Sequence, residues 1–77
     1  MSSIQVDSVV RLTEDVPEHG LSRGEEGVVV SVWVSPREIS CEVEFHRRNG
    51  APPVRALLRA QRLEVVGQRP EEVGPKD

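Results

Sequence analysis

Apolar residues in this chain alternate in short runs bounded by turn residues, helical periodicity is almost absent, and prolines at 17, 36, 52, 53, 70 and 75 interrupt any long helical stretch. That pattern predicts an all-β domain. Residues 39–45 alternate most cleanly, with Ile39, Cys41, Val43 and Phe45 on one face and Ser40, Glu42 and Glu44 on the other. Residues 27–34 are valine-rich. Setting Ser31 outward places Val28, Val30, Val32 and Val34 inward, with Val29 and Trp33 on the outer face. A turn through Ser35, Pro36, Arg37 and Glu38 then opposes Val34 to Ile39, Val32 to Cys41, Val30 to Val43 and Val28 to Phe45. All these pairs are apolar, which favours the register.

Asn49-Gly50 predicts a two-residue type I′ turn, because that turn needs positive φ at both positions. Its register sets Phe45 opposite Val54, Val43 opposite Ala56, Cys41 opposite Leu58 and Glu44 opposite Arg55. Pro52 and Pro53 cannot donate ladder hydrogen bonds, so pairing breaks near the tip and His46, Arg47 and Arg48 stand out on a projecting loop. Upstream, residues 8–13 predict a first strand with Val10 and Leu12 inward, followed by a charged loop over 14–27 anchored by Leu21. Downstream, Ala60, Gln61 and Arg62 predict one 3₁₀ turn before a last strand at 63–66. The sum is a small five-stranded SH3-like barrel with one short 3₁₀ turn before the last strand. Residues 1–6 are expected to be a flexible N-terminus, 7–66 the barrel and 67–77 a flexible tail. An oligonucleotide-binding barrel usually needs more chain.

A chain of 77 residues holds one small domain. A core of that size leaves about 3–5 kcal/mol of net stability, which disfavours a deep pocket lined with polar catalytic groups. The lone Cys41 cannot form an intramolecular disulfide, and no second thiol is spaced for zinc. Thirteen Asp and Glu against ten Lys and Arg disfavour nucleic acid, whose binding usually demands a basic excess. The longest apolar run, 28–34, is far short of a membrane span. The opening residues lack the basic and apolar regions of a secretory signal, so a cytoplasmic location is expected.

Leu21-Ser22-Arg23-Gly24-Glu25-Glu26-Gly27-Val28-Val29 has the apolar, Gly-x-x-Gly, apolar spacing of KOW-type SH3-like barrels, where the glycines permit positive φ and close backbone approach. Further cues are Asp7-Ser8-Val9 opening a strand, the acidic segment around Pro17-Glu18, Val43-Glu44-Phe45, and a late stretch from Leu58 to Leu63. Together they resemble the small bacterial family catalogued as domain of unknown function 4926, over roughly 7–66. The resemblance implies the SH3-like fold and a bacterial cytosolic setting, and it brings no catalytic residues. Arg47-Arg48 and Pro52-Pro53 depart from the family, which more often has an acidic-Gly turn there.

No residues combine a nucleophile with a base. Cys41 reads as core, and His19 and His46 as solvated loop residues. Glu42 and Glu44 share an outward face, where Arg55 and, diagonally, Arg59 account for them as cross-strand ion pairs. The expectation is therefore a non-enzyme with neither cofactor nor metal. Its binding surface is placed at Trp33, Val29 and Leu57, because an exposed Trp with apolar neighbours is the usual composition of an interaction hot spot. The acidic loop, with Glu14, Asp15 and Glu18, and the Arg47-Arg48 tip are expected to orient the partner. That partner is expected to be another protein, including one encoded nearby, and a homodimer is compatible. The alternative is a KOW-like nucleic-acid or ribosome-associated module using Arg11, Arg47, Arg48, Arg55 and Arg59.

Overall fold

The computed structural model describes residues 4–68. Among them five strands run in chain order: β1 (Ser8–Leu12), β2 (Glu26–Val34), β3 (Ile39–Phe45), β4 (Val54–Arg59) and β5 (Leu63–Gln68). They form one antiparallel sheet in the order β4-β3-β2-β1-β5. A 3₁₀ turn, Ala60–Arg62, joins the two edge strands β4 and β5, and a second, Pro17–His19, lies in the long loop. The all-β expectation holds. Phe45, Val10, Leu12, Val29, Val43, Cys41, Ala56, Leu58 and Leu63 make one core with members from all five strands, so the sheet curls around its own inner face.

β2 does most to shape this curl. Its first residues pair with β1 (Val9 opposite Val28, Val10 opposite Gly27), and from Val28 onward it pairs with β3. The two glycines of the Gly-x-x-Gly turn do different work. Gly24 has φ +93° with open space around it, and so supplies the left-handed bend. At Gly27 a Cβ would stand 2.7 Å from the Glu44 carbonyl oxygen, so this position supplies the close approach.

Val34–Ile39, Val32–Cys41 and the whole β3–β4 register are observed as read from the sequence. Between Val29 and Ser31, however, the ladder shifts, with Val29 opposite Val43 and Val28 opposite Glu44. The irregularity absorbs Val30, and beyond it every side chain changes face. Val29 therefore lies in the core at 0% exposure. It is not on the outer face beside Trp33.

The Asn49-Gly50 turn also differs in kind. Only Gly50 has positive φ (+81°), so it is not type I′. Asn49 instead accepts a hydrogen bond on its side-chain oxygen from the Ala51 N–H at 3.1 Å. Pairing stops at Phe45 opposite Val54, as the two prolines require.

The long loop is tied down more firmly than its charge suggested. Val16 and Leu21 bridge one another and are both buried, at 0% and 2% exposure. Burial of each contributes about 1.5–3 kcal/mol before ordering entropy. At the chain's start, Ile4 packs against the core, and the Gln5 N–H donates to the buried Ser8 hydroxyl at 3.0 Å. Residues 1–3 and 69–77, part of the expected flexible ends, lie outside the described residues.

Candidate functional site

The outer face of β2, β3 and β4 presents three cross-strand rows. Trp33 is level with Ser40 and Arg59, Ser31 with Glu42 and Leu57, and Val28 with Glu44 and Arg55. Trp33 and Leu57 are each 61% exposed. They lie two strands and one row apart, so the apolar points are separated by Ser40 and Glu42. The Ser31 hydroxyl donates to Glu42 at 3.0 Å, and Arg55 bridges Glu42 (3.7 Å) and Glu44 (3.8 Å). His46 stands 3.6 Å from Glu44. Arg59 pairs with Glu38 at 3.1 Å and not with Glu42, because Glu38 at the hairpin turn is nearer its guanidinium. This half-buried polar ladder fixes the face around the two hydrophobic side chains.

The acidic loop is neutralised from within. Arg62, from the 3₁₀ turn, donates to Glu14 at 2.7 Å, to Glu18 at 3.1 Å and to the Asp15 carbonyl at 3.2 Å. The Asp15 carboxylate accepts from the Arg23 N–H at 2.8 Å, and Glu25 accepts from the Ser22 N–H at 2.7 Å. Arg11 draws in Glu26 and Glu64 across both of its neighbouring strands. Glu14, Asp15 and Glu18 therefore do not form an open acidic rim. Arg62 had no visible role in the sequence, since nothing local announces that a residue 44 positions from Glu18 will meet it.

The cationic tip divides in two. Arg47, expected to project, folds back onto the loop, 3.3 Å from Glu25 and 3.2 Å from the Gly20 carbonyl. Arg48 remains exposed, with no ion pair among the described residues. Of the arginines considered for nucleic acid, Arg11, Arg47, Arg55 and Arg59 all hold ion pairs, and only Arg48 stands apart.

A hydrogen bond from its own backbone N–H, reinforced by Arg62, holds the Glu18 carboxyl below the usual carboxylate range. Arg62 is raised in turn by Glu18 and then Glu14. A carboxyl depressed in the folded state adds stability that is complete above its unfolded value and is lost as pH falls through the folded value. Glu18→Gln is therefore expected to be less stable than wild type near pH 7. The gap should close as the pH drops from about 4.5 through the lowered folded value. Urea midpoints of both proteins across pH 7 to 3 measure this, and a gap that persists at the acid end would remove Glu18 as its source.

Cys41 is fully buried, and burial pushes its thiol up, which keeps it protonated and unreactive at neutral pH. Among the described residues no group of three or more His, Cys, Asp and Glu is placed to hold a metal ion, and no helix is long and apolar enough to cross a membrane.

The fold and this surface define a small all-β, barrel-like domain with a polar ladder and exposed tryptophan on its outer face. The chain belongs to the family described as Domain of unknown function (DUF4926), whose pattern matches residues 7–65. Neither a curated protein nor a solved structure matches it.

Proposed function

We propose that this protein is a non-enzymatic interaction module, an adaptor or accessory subunit of the bacterial cytosol that binds another protein through the outer sheet face. The observation that carries this reading is Trp33, 61% exposed on a strand whose register is held by the polar ladder beside it. Trp is among the residues that most often dominate interface energetics, and a large rigid ring costs little conformational entropy to bury. Leu57 supplies a second apolar point, Glu42 lies between the two, and Arg59 gives a polar contact beside them. With Val29 in the core, the contact surface is Trp33, Leu57 and the Ser40 and Glu42 side chains between them.

The acidic loop enters this reading as a shaped neighbour of the face, because its carboxylates are already engaged by Arg62, Arg47 and Arg11. The nucleic-acid alternative ranks below it for the same reason. A low-salt gel shift with RNA and DNA is expected to show no binding, and steeply salt-dependent binding would reverse the ranking.

Capture from a bacterial lysate with wild type, Trp33→Ala and Arg48→Ala side by side tests the main reading. A partner retained by Arg48→Ala and weakened at least tenfold by Trp33→Ala is expected, since a central Trp is typically worth about 2 kcal/mol or more. Equal retention by all three proteins would overturn it.

A further inference from the structure

Where the Gly-x-x-Gly turn meets the β3–β4 tip, a cleft of ≈ 730 Å³ opens, lined by Arg23, Gly24 and the start of β2 from one loop and by Arg47 and Arg48 from the other. Part of it is already fixed. Arg47 is held by Glu25 at 3.3 Å and by the Gly20 carbonyl at 3.2 Å, and the Glu25 carboxylate also accepts from the Ser22 N–H. Glu26 is drawn toward Arg11 on the neighbouring strand. Arg23 and Arg48 are exposed and have no ion pair among the described residues. Both glutamates of the cleft are therefore answered, and two guanidinium groups, one from each loop, are not.

An unpaired guanidinium matches the paired oxygens of a carboxylate or a phosphate through its parallel N–H donors. A run of phosphates suits this cleft poorly, because the cleft keeps two carboxylates of its own and the chain carries a net charge of -3, whereas polyanion binding draws on a cationic stripe. Gly24 adds a feature that favours a polypeptide. Its φ is +93° and nothing lies within 4 Å of where a Cβ would stand, so the wall there is bare main chain that another chain can approach closely. We propose that this cleft is a docking site for an acidic segment of a protein, whose carboxylates pair with Arg23 and Arg48 while its main chain passes Gly24. Pairs as exposed as these are screened by salt, so binding weakens as ionic strength rises.

The cleft and Trp33 lie at opposite ends of β2, roughly 20 Å apart along the strand, so this is a second contact and does not rest on the reading of the Trp33 face. Fluorescence anisotropy of labelled hexaglutamate, titrated with the full chain at low salt, is the test. Wild type is expected to bind. Arg23→Glu and Arg48→Glu are each expected to bind about tenfold more weakly, because each reversal removes one pair and sets a carboxylate against the peptide. Arg37→Glu is the control, since Arg37 is also exposed and without an ion pair among the described residues but sits at the turn between β2 and β3. It changes the net charge by the same amount and should bind like wild type, as should Trp33→Ala. All the charge reversals fall on exposed side chains and should keep the wild-type far-UV circular dichroism. A wild type that does not bind hexaglutamate would overturn the proposal, and so would equal weakening by Arg37→Glu, which would reduce the attraction to net charge. Tighter binding of labelled hexauridylate than of hexaglutamate would also overturn it and make the cleft a phosphate site.

Discussion

Val29→Lys is expected to unfold the domain, while Val28→Lys, one residue earlier, leaves it folded. Val29 is fully buried opposite Val43. An ammonium placed there has no carboxylate to meet, and an unpaired charge in an apolar interior costs several kcal/mol. A domain this small has only about 3–5 kcal/mol to lose. Val28 lies half-buried on the other face, opposite Glu44 on β3 and Val9 on β1. A lysine there gains a cross-strand partner in Glu44, worth about 0.2–1 kcal/mol, against the loss of a partly covered valine. Far-UV circular dichroism and urea titration of the two variants decide the matter. If Val28→Lys unfolded and Val29→Lys did not, the ladder would be regular through Val30, and Val29 would return to the surface with Trp33.

The same pair of residues shows how far a single sequence carries the fold. β3 and β4 were legible because two unrelated signals, the alternation of 39–45 and the Asn49-Gly50 turn, imply the same register, and all their expected pairs are observed. In β2, four valines flank a single serine, so the alternation is almost silent about which valine faces in. The only firm signal was the hairpin turn, which fixes Val32 and Val34 correctly. Its authority ends where one residue is absorbed at Val30, an event decided by how β2 bends to serve both β1 and β3. Trp33 lies on the hairpin side of that irregularity, which is why its outward placement was readable. Val29 lies beyond it, where the turn no longer determines the facing.

Charge was harder to read than hydrophobicity for a related reason. An excess of carboxylates in 14–27 is visible in the sequence, but the cations that answer it, Arg62, Arg47 and Arg11, arrive from three distant parts of the chain. Composition counts charges and says nothing about which will meet. Val16 is unmarked in the sequence because a lone valine between Asp15 and Pro17 has no periodic neighbour. It becomes core only through the bridge to Leu21. The exposed ends of β2 and β3 are the converse case, where perfect alternation continues beyond the point at which the core stops.

Gly27→Ala is expected to destabilise the protein by about 2–3 kcal/mol, the upper part of the ~1–3 kcal/mol range for forcing extra volume into a packed interior. In a domain of this length that lowers Tm by roughly 10–20 °C. The added Cβ would stand 2.7 Å from the Glu44 carbonyl oxygen, 2.7 Å from Val43 Cγ1 and 2.9 Å from Phe45 Cδ2. None of these can yield cheaply. The carbonyl belongs to the backbone of β3, an inner strand of the sheet, and the side chains of Val43 and Phe45 are 0% and 1% exposed with the core closed around them. Relief must come from moving β2 away from β3, which loosens the pairing that positions Trp33. Gly24→Ala isolates the other role of a glycine, since its neighbourhood is empty and only the left-handed backbone resists. That change is expected to cost about 1–2 kcal/mol. Thermal melts of the two variants should therefore rank Gly27→Ala as the more damaging. The same melts followed by Trp33 fluorescence should show the ring's environment altered in the native state by Gly27→Ala alone. A Gly27→Ala protein as stable as wild type would mean that β2 and β3 are farther apart at this crossing, and that the outer face is not held by the close approach at all.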